Sequence, residues 1–236
     1  MPRTLPALAL RTQVLFPGQI TQVTVGRGPS VAALDLHLDR KVDLVATLQL
    51  DPGLENPGPD DVAKVGVLCR VLRTMNLPDG SVRALVEVLS RCTVSDFHEA
   101  EREGTCCVPG RFAGPASDTK AVQAATRRVI ELAREIFATS SPEKPPDALE
   151  RALELHQEPE RVCDHLAPQV GVIPAEAQEL LEEPDLAKRM ERLAWFMERS
   201  QQYALLKRTI ADDVQKQMDA GQREYQLREQ LKAIQK

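Results

Sequence analysis

The chain has 236 residues, a formal net charge of −5, 42% hydrophobic residues and 28% charged residues, which is typical of a globular protein of one large or two small domains. Only 3% of the residues are aromatic, and this low content together with the acidic balance disfavours a dedicated nucleic-acid-binding protein. No apolar run reaches the ~20 residues needed to cross a bilayer, and no secretory signal opens the chain, so we expect a cytoplasmic protein.

The first half of the chain has the period-2 pattern of half-buried β-strands. Val65–Leu72 and Val82–Val88 alternate in this way, and Leu77-Pro78-Asp79-Gly80 between them predicts a hairpin turn, because proline presets one turn position and glycine accepts the left-handed one. Val31–Leu38 is predicted to be a short helix with Ser30 as its N-cap. The remaining predicted strands are Ile20–Val25, Leu44–Leu50, Cys92–Phe97 and Thr105–Phe112.

The second half of the chain has a helical period, which begins at Asp118. Three prolines and two serines in Ser140–Pro146 predict a linker or sharp turn, and Asp147 followed by Glu150 predicts the start of a helix that runs to His156. Prolines favour the first turn of a helix, so Pro159 and Pro174 predict the next two helix starts. Pro184-Asp185 precedes the last and longest helix.

The last helix carries two apolar stripes, which change over near Gly221, a poor helix former. We expect the helix to dock on its own domain through the first stripe, and beyond Gly221 to face a neighbouring subunit or a further, missing module through the second. A frayed tail with incidental leucines is the alternative. No C-cap signal follows, so we also expect the helix to continue past Lys236. The first stripe is Phe196, Tyr203, Leu206, Ile210, Val214, Met218 and Tyr225, and the second is Leu227, Leu231 and Ile234.

The sequence contains no pattern that predicts a catalytic, cofactor-binding or metal-binding site. No Gly-x-x-x-x-Gly-Lys-Ser/Thr loop occurs, and Gly26-Arg27-Gly28 is best interpreted as a turn. Cys106 and Cys107 follow His98, but adjacent side chains on a strand point to opposite faces, and a zinc site would lack a fourth ligand. The five cysteines include no Cys-x-x-Cys pair and are interpreted as free thiols.

Two predicted loops carry large apolar residues that could contact a binding partner. These residues are Phe16 and Pro17 in one loop and Met75 and Leu77 at the hairpin tip. Apolar groups exposed in loops mark binding surfaces, and methionine adapts to varied partners. The alternative is that these side chains fold back on the sheet.

Three segments of the chain, in collinear order, resemble the N-terminal region of bacterial Lon proteases. The first is Leu5–Arg11 with Val14–Gly18, Val25–Arg27 and Ser30; the second is Leu77–Val82 with Val86-Glu87; the third is Gln215–Met218 with Gln222–Tyr225 and Glu229–Lys236. The chain departs from the family pattern at Ala9, Thr12-Gln13 and Gly221, and Arg102–Ala116 matches none of its motifs.

The resemblance implies an α+β fold with a PUA-like β-rich lobe at residues 1–115, a helical lobe at 116–183 and a long helix at 184–236 that leads toward an ATPase module. It implies a region that recognises misfolded and selected regulatory proteins and helps to assemble a homohexamer. ATP, Mg²⁺ and the Ser-Lys peptidase site would belong to other parts of the protein, which acts in protein quality control. DNA is a possible further partner of such proteins, but this sequence does not indicate it.

Two other functions remain open at this stage. The chain could be a stand-alone PUA-like protein that binds RNA or a protein ligand, although its acidic charge weighs against RNA. It could also be a coiled-coil adaptor, but the apolar period shifts phase and does not form a sustained heptad.

Overall fold

A computed structural model describes residues 4–100, 104–114, 119–140, 150–151, 154–155 and 157–234, with only the backbone described at 137–140, 219–220 and 222–234. A β-rich lobe is followed by helices and a long C-terminal helix, so the predicted α+β class is confirmed. The predicted start near Asp147 and most of the helix to His156 lie outside the described residues.

Six strands and one helix form the β-rich lobe. The strands are β1 (Leu5–Leu10), β2 (Ile20–Val25), β3 (Leu44–Leu48), β4 (Val65–Asn76), β5 (Val82–Ala100) and β6 (Gly104–Arg111), and helix α1 (Gly28–Arg40) lies between β2 and β3. All strands that the pattern predicted are present. Helix α1 begins at Gly28, and Arg27 is its N-cap, so the prediction of Ser30 as N-cap is wrong. The earlier start is possible because Pro29 fits the first turn of a helix.

Five of the strands close into a barrel in the order β5-β4-β3-β1-β6-β5. Closure is possible because β5 is long enough to pair with β2 and β4 over its first part and with β6 from Cys92 onward. The predicted strand Cys92–Phe97 is therefore the continuation of β5 rather than a separate element. Asp96, with a φ of 50°, lies where the β5–β6 register shifts, and such a bulge bends a strand.

Strand β1 is buried along its whole length, and its pattern did not predict a strand. Leu5, Ala7 and Ala9 pack in one apolar cluster with Val94 and Phe97, whereas Leu8 and Leu10 pack in the other. The second cluster extends without interruption into the helical lobe, where it includes Val162, Leu166 and Leu193. The two lobes consequently share one core.

The helices of the second lobe begin largely where the prolines predicted. They are α2 (Thr119–Ser140), α3 (Pro159–Leu166), α4 (Pro174–Glu182) and α5 (Leu186–Ile234), with a 3-10 turn at Ala167–Gln169. Helix α2 packs along α5. Gly114 lies so close to the Pro184 carbonyl that a Cβ atom there would be 1.9 Å from the oxygen, so only glycine permits this approach.

Helix α5 leaves the body of the protein much earlier than the apolar pattern predicted. Met190, Leu193, Phe196 and Met197 are buried, but every side chain from Gln202 to Met218 is exposed. Docking of Tyr203, Leu206, Ile210, Val214 and Met218 on the chain's own helices is therefore wrong, because no described element reaches this part of α5. The side chains of Tyr225, Leu227, Leu231 and Ile234 lie outside the described residues, and their contacts stay predictions.

Candidate functional site

The β4–β5 hairpin projects from the barrel and ends in the turn that the sequence predicted. Leu77 N donates to Ser81 O at 2.8 Å, and Gly80 takes a φ of +81°. Asp79 accepts hydrogen bonds from the Ser81 backbone and hydroxyl, which lower the pKa of the Asp79 carboxyl. A turn closed by these bonds holds the tip in one conformation.

One face of the β2–β5–β4 sheet is open to solvent and carries both apolar and cationic side chains. Cross-strand register places Thr24, Arg83 and Met75 in one row and Gln22, Leu85 and Arg73 in the next. Met75 is 56% exposed, and Ile20 at the end of the same face is 62% exposed. The hairpin face is defined here as Ile20, Gln22, Thr24, Arg73, Met75, Arg83 and Leu85.

The four predicted substrate-contact residues fall into two groups. Phe16 is 1% exposed and belongs to the core, so its predicted exposure is wrong; Pro17 beside it is half-buried. Gln19 N donates to Phe16 O, and Gly18 with a φ of +81° completes a turn that directs Phe16 inward. Met75 is exposed and Leu77 is half-buried at the hairpin tip, and substrate contact at Pro17, Met75 and Leu77 stays a prediction.

A groove of about 500 Å³ lies beside the hairpin face, between the end of β1 and the free edge of β2. Residues 8–13 form one wall, and Gln22, Thr24 and Val25–Arg27 form the other. Arg11 and Arg27 both line this groove, which no sequence pattern predicted. In the sequence, Arg27 belongs to a predicted turn and to the family resemblance, and neither pattern indicates that it shares a groove with Arg11.

The cysteines do not form a reactive site. All five are buried, and burial raises the pKa of the Cys107 thiol to about 12. His98 is exposed, pairs with Cys106 across β5 and β6, and has its Nδ1 2.8 Å from the Asp96 carbonyl oxygen. Among the described residues, no group of three or more His, Cys, Asp or Glu side chains could hold a metal ion.

The described surface offers two features suited to binding. The hairpin face offers exposed apolar side chains, and the adjacent groove offers cations and strand-edge backbone groups. No helix among the described residues is long and apolar enough to cross a membrane. Ile20 is a binding-surface candidate that the sequence analysis missed, since its strand pattern does not say which face is covered.

Comparison with known proteins gives a consistent family match. The family model of the ATP-dependent protease La (LON) substrate-binding domain matches residues 4–199. The chain is 36% identical over 236 residues to the Lon protease of Xanthomonas oryzae pv. oryzae and 31% identical over 232 residues to that of Escherichia coli K12. Each alignment covers 98% of this chain but only 27% and 29% of the relative, so the chain spans less than a third of their length.

Two solved structures have a similar fold. The N-terminal domain of a Mycobacterium avium complex Lon protease aligns with a TM-score of 0.68 at 17% identity, covering 83% of this chain and 98% of that one. A Lon N-terminal domain protein from Xanthomonas campestris aligns with a TM-score of 0.51 at 16% identity, covering 81% and 96%. At these identities the likeness concerns the fold.

Proposed function

This chain belongs to the family of the ATP-dependent protease La (LON) substrate-binding domain, and on that premise we propose that it captures unfolded protein segments through its hairpin face. Unfolded segments differ from native proteins in exposing the apolar side chains that folding buries. A surface that binds them needs apolar contacts that stay accessible in the folded domain.

The observation that favours this function is the exposure of Met75 and Ile20 on a face whose opposite side is core. Met75 lies directly across from Arg83, whereas Val82 and Ala84 beside it are buried. A half-buried Leu77 extends the apolar surface to the turn. Flexible methionine next to cations accommodates segments of varied sequence that carry apolar and acidic residues.

We propose that the chain works as part of a longer protein, in line with the small share of its relatives that it spans. That protein would be a cytoplasmic ATP-dependent serine endopeptidase with a Ser-Lys dyad, which binds ATP and Mg²⁺ outside this chain and assembles as a homohexamer. Several weakly binding hairpin faces held together in one assembly would then act jointly on a single unfolded chain. The domain limits 1–115, 116–183 and 184–236 are also proposed, and limited proteolysis tests them.

Binding of a permanently unfolded protein to the isolated chain tests the proposal. Reduced and carboxymethylated α-lactalbumin should bind more tightly than the native, disulfide-bonded form. Met75→Ser should weaken this binding by roughly fivefold, the loss from a binding residue worth ~1 kcal/mol. Leu38→Ser is the matched control, since Leu38 is 43% exposed but lies on α1, outside the hairpin face.

Two results would contradict the proposal. Equal binding of the unfolded and native forms would indicate a purely structural role. Equal weakening by Met75→Ser and Leu38→Ser would show that binding does not depend on the hairpin face. Tight, strongly salt-dependent RNA binding by the chain would instead favour the alternative of a stand-alone RNA-binding protein.

A further inference from the structure

Strand β6 covers β1 only at its start, and the groove lies between the later part of β1 and strand β2. Strand β1 pairs with β6 only at Leu5 and Pro6, and from Ala7 to Leu10 its only strand partner in the described chain is β3. Strand β2 pairs with β5 alone among the described strands. Two strands therefore border the groove, and β2 offers it an unpaired edge.

The backbone groups that β2 presents to the groove follow from its register with β5. Val88 N donates to Gln19 O, so Gln19 is a hydrogen-bonded position of the β2–β5 pair. Because hydrogen-bonded and non-hydrogen-bonded positions alternate along an antiparallel pair, the N–H and C=O groups of Thr21, Val23 and Val25 point to β5. The N–H and C=O groups of Gln22 and Thr24 then point to the open edge. Both residues line the groove, so a further strand has backbone partners there.

The two walls of the groove each supply one cation, Arg11 from the β1 side and Arg27 from the β2 side. Arg27 donates to the Ala9 carbonyl, to Gln49 Oε1 at 2.8 Å and to the Glu55 carbonyl at 3.1 Å, and Arg11 donates to the Leu54 carbonyl at 3.0 Å. These acceptors are all neutral. Arg11 Nε is buried and has no hydrogen-bond partner among the described residues.

Arg11 and Arg27 line the same groove. Burial, followed by the positive charge of Arg11, lowers the pKa of Arg27. Glu55 and Glu99 line a separate small cavity on another side of Arg27. None of the ion pairs between described residues involves Arg11 or Arg27.

We propose that this groove binds an extended polypeptide segment, which adds to β2 as a strand and places a carboxylate between Arg11 and Arg27. The inference rests on the proposed function and narrows its substrate to segments that carry an acidic residue within an extended stretch. Backbone bonds to Gln22 and Thr24 would accept any sequence, and the arginine pair would select for the carboxylate. The adjoining hairpin face would bind the apolar residues that flank it.

A peptide titration followed by NMR of the ¹⁵N-labelled chain tests this site. The probe is a capped Thr-Val-Asp-Val-Thr-Val peptide; one control has Asn in place of Asp, and another carries N-methyl groups on alternate backbone nitrogens. We expect amide shifts at residues 8–13 and 22–27, and binding at least roughly tenfold weaker for the Asn peptide, as expected when a charged hydrogen bond is lost. The N-methyl peptide should bind weakly as well.

Protein variants separate the two parts of the site. Arg11→Gln should abolish the preference for Asp over Asn, whereas Arg111→Gln, an exposed arginine on β6, should preserve it. Thr24→Pro removes an edge N–H without removing a bond to β5, and Thr24→Ala keeps that N–H. Of these two variants, only Thr24→Pro should lose binding of the Asp peptide and of the Asn peptide. If Thr24→Pro fails to fold, the N-methyl peptide still tests strand addition.

Several outcomes would overturn the inference without touching the proposed function. These are equal binding of the Asp and Asn peptides, amide shifts confined to Arg73, Met75, Arg83 and Leu85, and failure of both peptides in a chain that binds unfolded α-lactalbumin. Tighter binding of tripolyphosphate or a short RNA than of the Asp peptide at the same residues would assign the groove to a phosphate ligand instead. If the chain binds no unfolded protein at all, both proposals fail.

Discussion

Arg91 on β5 and Asp164 on α3 form a two-pronged ion pair that joins the barrel to the helical lobe. Arg91 Nη1 donates to Asp164 Oδ2 at 2.7 Å and Nη2 donates to Oδ1, while Arg91 Nε donates to the Leu181 carbonyl at 3.2 Å. The side chains are 3% and 2% exposed. The hydrogen bonds and charge of Asp164 outweigh burial and raise the pKa of Arg91, so the guanidinium stays protonated.

Removing one partner of this pair should destabilise the whole chain. Arg91→Met removes the hydrogen-bonded partner of the buried Asp164 carboxylate, and breaking a buried ion pair in this way typically costs ~3–5 kcal/mol. Unfolding in urea, followed by circular dichroism, measures the loss. The double variant Arg91→Met with Asp164→Leu should recover most of it, since a well-packed apolar pair of similar volume replaces a buried ion pair with little cost.

The exposed pair of Lys64 and Asp60 provides the control for Arg91. Its side chains are 65% and 99% exposed at an N–O distance of 3.7 Å, so Lys64→Met should leave the unfolding midpoint almost unchanged. If Arg91→Met behaved like Lys64→Met, the buried ion pair would make no measurable contribution to stability.

Phe16 and Met75, which the sequence analysis grouped together, should respond differently to truncation. Phe16 is 1% exposed, so Phe16→Ala should destabilise the chain by ~3–5 kcal/mol through the cavity it creates. Met75 is 56% exposed, so Met75→Ser should change the free energy of unfolding by less than ~0.5 kcal/mol. Urea unfolding of both variants checks this; a large loss for Met75→Ser would mean that Met75 is a core residue.

The hairpin could be predicted from sequence because its signals are local. The alternation of Val82–Val88 and the Pro78-Asp79-Gly80 turn lie within a few residues of each other, and both are present in the structure. Strand β1 could not be predicted in this way, since both of its faces are buried and its side chains therefore do not alternate.

The rest of the candidate site depends on contacts between distant residues. Arg11 and Arg27 line one groove only because the ends of β1 and β2 border it, and no periodicity in the sequence indicates that arrangement. The apolar stripe on α5 shows which residues share a face, but it does not show whether a neighbouring element covers that face. For the same reason, the pattern could not show that Phe16 turns inward.

The ion pair between Glu176 on α4 and Arg199 on α5 should make the stability of the chain depend on pH. Arg199 donates from Nη1 and Nη2 to the two Glu176 oxygens at 2.6 Å each, and these bonds lower the pKa of Glu176 below its ordinary ~4.3. A depressed folded-state pKa gives stability that is present above the unfolded pKa and is lost as the pH falls through the folded value. Glu176→Gln removes this contribution.

The melting temperatures of the wild-type chain and Glu176→Gln should therefore differ most near about pH 6 and converge toward about pH 3. Glu179→Gln is the control, since Glu179 makes a longer, exposed contact of 3.4 Å with Arg192. At every pH, the melting temperature of Glu179→Gln should differ from that of the wild type by less than the melting temperature of Glu176→Gln does. A Glu176→Gln difference that does not change with pH would show that the ion pair does not stabilise the fold.

The five cysteines should be unreactive until the chain unfolds. All are buried, and burial raises the pKa of Cys92, Cys107 and Cys163 to about 12. Relative to an ordinary thiol, this lowers the thiolate fraction by roughly a thousandfold near neutral pH. Labelling with Ellman's reagent should be slow for the native chain and fast in urea; rapid native labelling of any one cysteine would contradict its burial.

Gly221 should weaken the exposed part of α5, and alanine there should strengthen it. Nothing lies within 4 Å of a Cβ added at Gly221, so Gly221→Ala should favour the helix by ~1 kcal/mol without a clash. Amide hydrogen exchange should then slow by roughly fivefold in the adjoining turns. Ala211→Gly, at another exposed position of α5, should speed exchange around residue 211. If Gly221→Ala left exchange unchanged, this part of α5 would already be held by contacts other than its own helix propensity.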